Sequence, residues 1–296
     1  MTEATILVPT YRHPQLLPYA LRSALAQTDV SFELFIVGDG VEDDTREAIE
    51  PFLSDSRVRF FDFGKGARHG EKNRGDALRE AQGEIVCYLS DDDLLLPGFL
   101  NELRTLLDQA DFGHAAPVSV HPDGRLEYRP ADLARSEFLA LIRNGRNNFI
   151  SLTGAGHTRA AYDRLPAGWA PAPPGTKTDI HMWRCFAEQP WFRGATGRRL
   201  TALHFPDPEW RTVGSTEREA ALADWLDRSA EPGAQETFDR LLSDAIRVAA
   251  QDFKLRAIEQ KRSLEDLTSE AEALRRSLLR RAARQLARRA RRSPQR

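Results

Sequence analysis

Within the first hundred residues, four short apolar runs alternate with four segments of helical periodicity, and this limits the fold more than any other feature. Residues 6–8, 32–37, 58–63 and 85–89 read as strands, each stopped by a polar or glycine-rich turn. Residues 15–27 place Leu16, Leu17, Ala20, Leu21, Ala24 and Leu25 on one helical face. Residues 45–50, 71–81 and 97–109 read as further helices, the first opened by Asp43-Asp44, which suits a helix N-terminus. Strand–helix alternation of this kind builds right-handed βαβ units around a mostly parallel sheet, so an α/β fold is predicted. Ligands of such sheets bind beyond the carboxyl ends of the strands. Polar residues collect there: Thr10-Tyr11 after the first strand, Asp39 after the second, Asp91-Asp92-Asp93 after the fourth. Turn chemistry explains any one of these positions; all three together point to a site.

The remainder is less regular. A hairpin is expected around Pro122-Asp123-Gly124, helices over 136–142, 160–165 and 179–188, and a late strand over 200–205. From residue 215 onward the pattern is helical, over 217–227 and then 234–286. Three regions follow: an α/β half over 1–110, a second half of the same domain over 111–214, and a helical extension over 215–296. No run approaches the roughly 20 apolar residues of a membrane span. The N-terminus has no basic leader with an apolar stretch behind it. Cys87 and Cys185 are too few for a disulfide framework and read as core residues in a reducing compartment. A cytoplasmic protein is expected.

Three adjacent carboxylates repel one another, and a divalent cation relieves that cost. Mg²⁺ or Mn²⁺ takes oxygen ligands and is commonly shared between carboxylates and substrate phosphates. A solvated acidic turn ahead of the next helix is the plainer alternative.

The segments ILVPTYRHPQLLPYALRSALAQ, FELFIVGDGVEDDT and EKNRGDALREAQGEIVCYLSDDDLLLPGFL carry a more specific signal. In this order and spacing they resemble the family-two inverting glycosyltransferases of the GT-A fold, closely over residues 4–105 and loosely beyond. The resemblance implies a Rossmann-like, mostly parallel sheet and a nucleotide-sugar donor of UDP or dTDP type. It implies that Pro9, Thr10 and Tyr11 line the nucleotide pocket and that Asp39 accepts a hydrogen bond from the base. Asn73 and Gly75 match a family segment in which Lys72 replaces the usual arginine and keeps charge without bidentate geometry. Asp91 and Asp92 are expected at the ribose and phosphates, and Asp93, with Asp91 and His204, at the metal. The run Thr178-Asp179 matches the acidic pair at the start of the acceptor-side helix, making Asp179 the expected catalytic base; a helix-dipole carboxylate has the same sequence. Gly154-Ala155-Gly156-His157 resembles an acceptor-side turn. Trp169, Trp183 and Trp210 suit either sugar stacking or the core.

The C-terminal stretch recurs in apolar residues at threes and fours, the pattern of an amphipathic helix or coiled coil, and a homo-oligomer through it is one expectation. Residues 275–296 then carry ten arginines and no acid, so the net −2 divides into +10 there and −12 over residues 1–274. A basic helix of this kind suits an anionic membrane surface. Nucleic acid is not an expected partner, because the acidic body would be repelled. The acceptor is expected to be a glycan or a lipid-linked one. Two other functions compete with this one: a silent nucleotide-sugar-binding scaffold, and a sugar nucleotidyltransferase. Pro9-Thr10-Tyr11-Arg12, where a glycine-rich phosphate loop would stand, disfavours the latter.

Overall fold

The computed structural model describes residues 2–145 and 149–290, of which the side chains of 269, 272–273 and 276–290 are outside the description. Strands β1 (Ala4–Thr10), β2 (Phe32–Asp39), β3 (Val58–Phe63) and β4 (Ile85–Tyr88) alternate with helices α1 (Leu17–Leu25), α2 (Asp43–Ile49), α3 (Glu71–Leu78) and α4 (Phe99–Leu107). The next elements are shorter: β5 (Leu94–Leu95), β6 (Phe112–His114), β7 (Val118–Val120), β8 (Leu126–Tyr128), α5 (Ser136–Arg143), β9 (Ala155–Thr158) and α6 (Arg159–Asp163). They are followed by α7 (Thr178–Ala187), β10 (Gly194–Thr196), β11 (Ala202–Leu203), α8 (Asp207–Trp210), α9 (Ser215–Ser229) and α10 (Ala234–Ala290).

Seven strands form the central sheet in the order β10-β6-β9-β4-β1-β2-β3. β1 pairs in parallel with β2 and β4, and β2 in parallel with β3, as the alternation requires. β9 alone runs against its neighbours, antiparallel to both β4 and β6. The expected turn at Gly154-Ala155-Gly156-His157 is therefore a correction: residues 155–158 are a central strand. Glycine is required there by packing, since a Cβ on Gly156 would lie 2.5 Å from Leu103 Cδ2.

Both faces of the sheet are covered, which is why its parallel strands read as nearly continuous apolar runs. On one face Ala4, Ile6 and Val8 pack with Leu17, Leu21, Leu100 and Leu103. On the other, Leu7 packs with Tyr88, Phe112, Trp183 and Phe186. A third cluster joins Leu94, Leu203 and Phe205 to Leu222, Trp225, Phe238 and Leu242, so α9 and the first turns of α10 belong to the body. The chain divides into two compact units at Ile246, where the sequence placed the start of a helical extension at residue 215. The second unit, from Arg247 on, is helical through Ala290 and exposes Phe253, Leu264 and Leu267. Of the basic tail, Arg291 and Arg292 and the arginine side chains at 276–289 lie outside the described residues. No helix among the described residues is long and apolar enough to cross a membrane.

Candidate active site

The carboxyl ends of β1, β2 and β4 open onto a cavity of about 800 Å³ lined by Thr10, Tyr11, Asp39, Arg74, Asp91 and Asp92, among others. Register explains the assembly. Thr10 ends β1 beside Gly38, and the aspartate run follows β4 on the other side of β1. Pro9 lines the same cavity. Tyr11 sits at its edge, with the Arg12 guanidinium 4.6 Å and the Lys65 ammonium 4.7 Å from its ring centroid.

The three aspartates have three different surroundings. Asp91 accepts from Thr10 Oγ1 at 2.7 Å and lies 2.9 Å from His13 Nδ1. The Asp91 hydrogen bond raises the His13 pKa to about 9 against the opposing effect of burial, so this imidazole is cationic at neutral pH. Asp92 accepts from Arg218 Nη2 at 2.5 Å, and Arg218 Nη1 reaches Asp207 Oδ1 at 3.0 Å. Burial, with Asp93 and Asp91 adding to it, pushes the Asp92 pKa up to about 7. Asp93 is wholly enclosed. It accepts from Thr153 Oγ1 at 2.5 Å, from the Phe205 N–H at 2.7 Å and from His204 Nδ1 at 3.0 Å. Burial opposes its ionised form, but the His204 charge and these donors outweigh that and hold its pKa below the ordinary value. The same pair raises the His204 pKa despite burial.

Ligand atoms of His13, Asp92 and Asp207 lie within 4.8 Å of one another, which makes these three the cation-sized group among the described residues. Asp93 and His204, expected at the metal, instead bond each other, and Asp93 has no oxygen left unengaged. An imidazole with two carboxylates fits Mn²⁺, and the carboxylates alone also fit Mg²⁺.

The remaining expected residues divide in the same way. Asp39 lines the cavity, with Gly66 N–H at 2.6 Å and Asn73 Nδ2 at 2.9 Å on Oδ1 and Lys65 on Oδ2. It is packed so tightly against Gly70 that a Cβ there, at φ 71°, would meet Asp39 Cγ at 2.5 Å. Lys72 points outward to Asp76 at 2.5 Å and does not reach the cavity. Arg74, two residues on, does. It is 8% exposed, 4.9 Å from the Trp169 ring, and donates from Nη2 to His69 O at 3.1 Å. Its Nε and Nη1 have no partner among the described residues.

Asp179 stands in the first turn of α7, and its side chain makes no hydrogen bond or ion pair with any described residue. Burial raises its pKa, opposed by Arg74, His204, His69 and Lys177. It lines the large cavity and also a second one of about 330 Å³ with Arg129, Ser151 and His204; Lys177 and Asp207 are likewise shared. A free carboxylate at the junction of two cavities can take a proton from a molecule in one while that molecule attacks another in the other.

Trp169, Trp183 and Trp210 are core residues. Trp169 Nε1 donates to Tyr88 Oη at 2.9 Å, Tyr88 donates to His157 Nε2 at 2.7 Å, and His157 Nδ1 donates to Thr158 O at 3.0 Å. Burial lowers the His157 pKa to about 4, so that ring stays neutral in this network.

Sequence reasoning missed His13, Arg74, Asp207 and Arg218. His13 and Arg74 fall inside the quoted motifs, as basic residues close behind Thr10 and Asn73. Asp207 and Arg218 carry no local signal.

The family model "Glycosyl transferase family 2" matches residues 5–167. A Campylobacter jejuni protein, GalNAc(5)-diNAcBac-PP-undecaprenol beta-1,3-glucosyltransferase, is 34% identical over 119 residues, 39% of this chain. The match spans only 37% of that protein. The Escherichia coli UDP-Glc:alpha-D-GlcNAc-diphosphoundecaprenol beta-1,3-glucosyltransferase WfgD is 32% identical over 181 residues, covering 60% of this chain and 67% of WfgD. Staphylococcus aureus TarS 1–349 shares the fold with a TM-score of 0.55 at 16% identity, over 83% of this chain and 71% of that one.

Proposed function

The chain belongs to glycosyl transferase family 2, and from that premise we propose that it moves a sugar from a nucleoside-diphosphate donor to a lipid-linked glycan hydroxyl, with inversion. The observation that carries this reading is Asp179, whose carboxylate has no partner among the described residues and lines both cavities. The donor occupies the larger cavity, its nucleoside toward Tyr11 and Asp39 and its diphosphate toward Asp92 and Asp207. The acceptor enters the smaller one, which Arg129 and Lys177 make suitable for a phosphate-bearing molecule. The two relatives named above act, by their names, on undecaprenol-diphosphate glycans, and one takes UDP-glucose. A UDP-sugar and a polyprenyl-diphosphate glycan are thus the substrates to test first.

In this mechanism Asp179 accepts the proton of the acceptor hydroxyl as its oxygen attacks the anomeric carbon from the face opposite the leaving group. Arg74, a cation in the wall of this cavity whose Nε and Nη1 have no partner among the described residues, balances negative charge on the donor. Asp92 and Asp207, with His13 once it has lost its proton, would hold Mn²⁺ or Mg²⁺. Bound there, the cation would neutralise charge building on the departing diphosphate. The arginines beyond residue 274 are expected to hold the protein at the inner face of an anionic membrane, each contributing ~1 kcal/mol near the surface.

The experiment is a transfer assay with UDP-sugars, Mn²⁺ and short-chain polyprenyl-diphosphate-GlcNAc, read by mass and by anomeric NMR. A product of inverted configuration is expected. Absence of UDP binding under all metal conditions overturns the reading.

A further inference from the structure

Arg218 lies 51 residues beyond the last residue matched by the family model, yet it bonds two members of the His13, Asp92 and Asp207 group. It is 5% exposed. Its Nη2 donates to Asp92 Oδ2 at 2.5 Å and to Phe205 O at 2.7 Å, and its Nη1 to Asp207 Oδ1 at 3.0 Å. The guanidinium therefore bridges the two carboxylates of the His13, Asp92 and Asp207 group. Helix α9, which carries it, is fixed to the body by Leu222 and Trp225 in the third core cluster. The arginine is held in place by packing.

We propose that Arg218 is a resident counter-cation that competes with the divalent ion for Asp92 and Asp207 and so makes ion binding depend on the donor's diphosphate. This rests on the metal reading given above. The charge balance supports it. Asp92 accepts from Arg218, and Asp207 accepts from both Arg218 and Arg211, so these two carboxylates already face two guanidinium groups. A divalent ion arriving alone adds positive charge beside two guanidinium groups, one of them buried, which is unfavourable. It also shares oxygens with a guanidinium that has little room to withdraw. A diphosphate brings the missing negative charge, accepts from the guanidinium and supplies further oxygens to the ion. Ion and donor should therefore bind with positive coupling, and linkage requires the coupling to be reciprocal. A metal ion that stays out until the donor is present leaves the empty site closed to adventitious cations.

The test is Mn²⁺ titration followed by the EPR signal of the free ion, with and without saturating UDP, on the full chain and on R218Q and R218K. For wild type, weak Mn²⁺ binding alone and at least 10-fold tighter binding with UDP are expected. In R218Q Asp92 loses its guanidinium partner and Asp207 keeps only Arg211, so Mn²⁺ alone should bind at least 10-fold more tightly than to wild type, with UDP adding less than it does to wild type. R218K keeps the charge and loses the two-pronged bridge, and should lie between them. An arginine that merely supported the fold would lower ion affinity on removal, the opposite sign. Should R218Q fail to fold, R218K decides alone: tighter Mn²⁺ binding than wild type supports the proposal, and equal or weaker binding overturns it. If wild type binds UDP but no Mn²⁺ even with UDP present, the metal reading itself has failed and this inference falls with it. If wild type binds Mn²⁺ with UDP and neither variant gains affinity for the ion alone, only the role of Arg218 is refuted.

Discussion

The hydroxyl of Thr178 donates to the carboxylate of Glu71 at 2.9 Å, joining the first residue of α7 to the first residue of α3 across 107 positions of sequence. Glu71 is fully buried and also accepts from the His69 N–H at 3.1 Å and more loosely from that of Ala172. Because Asp179 follows Thr178, this contact fixes the proposed base relative to the donor half of the site.

Replacing Glu71 by Gln puts an amide donor where the protein offers only donors. Unfolding in urea should show a loss of about 2–3 kcal/mol. kcat should fall more than the donor KM changes, because the displaced group is the base. Burial raises the Glu71 pKa, but its hydrogen bonds outweigh that and lower it overall. Its contribution to stability is therefore present above its unfolded pKa and fades as pH drops through the folded one. The Glu71→Gln variant should show less acid sensitivity than wild type; equal acid midpoints would contradict this.

Asp179→Asn should lower transfer by roughly 10²–10⁴-fold while UDP-sugar affinity stays within a few-fold. Burial raises the Asp179 pKa, so the folded protein binds this proton more tightly than the unfolded chain does. The carboxyl thus favours folding at low pH and opposes it as pH rises through its folded value. At neutral pH the amide variant should melt at the same temperature as wild type or higher. The acid limb of kcat/KM in wild type should lie above the ordinary aspartate range; a limb at or below that range would exclude Asp179 as the base.

Asp92→Asn and Asp93→Asn should differ in kind. The first should cost Mn²⁺ affinity in the presence of UDP and leave a folded protein. The second removes an ionised acceptor from three donors in the interior, at a cost of about 3–5 kcal/mol. Calorimetry and Mn²⁺ titration on the pair separate the two roles, and the opposite pattern would return the metal to Asp93.

Arg74→Met should raise thermal stability or leave it unchanged, since it removes a buried cation with two nitrogens unpartnered among the described residues. The same change should weaken UDP-sugar binding by at least 10-fold in isothermal titration. A variant that loses stability and keeps its affinity would show that the guanidinium serves the fold.

The parallel half of the sheet was legible because its signals are local: each strand is an apolar run between turns, and α1 shows a helical period of its own. β6, β9 and β10 were not. They are three or four residues long, and Ala155-Gly156-His157-Thr158 has no apolar alternation and a single β-branched residue, its place being set by partners about 40 and 70 residues away. The site divides on the same line. Thr10, Asp39 and the aspartate triplet could be found from strand ends, but not which aspartate faces the cavity. That depends on the Thr153 hydroxyl and the Phe205 N–H enclosing Asp93, and on Arg218 reaching Asp92 from 126 positions away. Lys72 and Arg74 show the limit plainly: helical phase turned one to solvent and the other inward, and motif alignment favoured the wrong one for contact with the cavity.

Because β9 runs backwards through the sheet, it presents its entrance at the rim where every parallel neighbour presents its exit. Leu152 reaches the larger cavity, Ser151 the smaller, and Thr153 grips Asp93. A segment grafted ahead of this strand would therefore change the wall met by an incoming acceptor while leaving the exits of β1, β2 and β4 untouched. One reversed strand thus gives the two cavities a common border that can be edited apart from the exits of β1, β2 and β4.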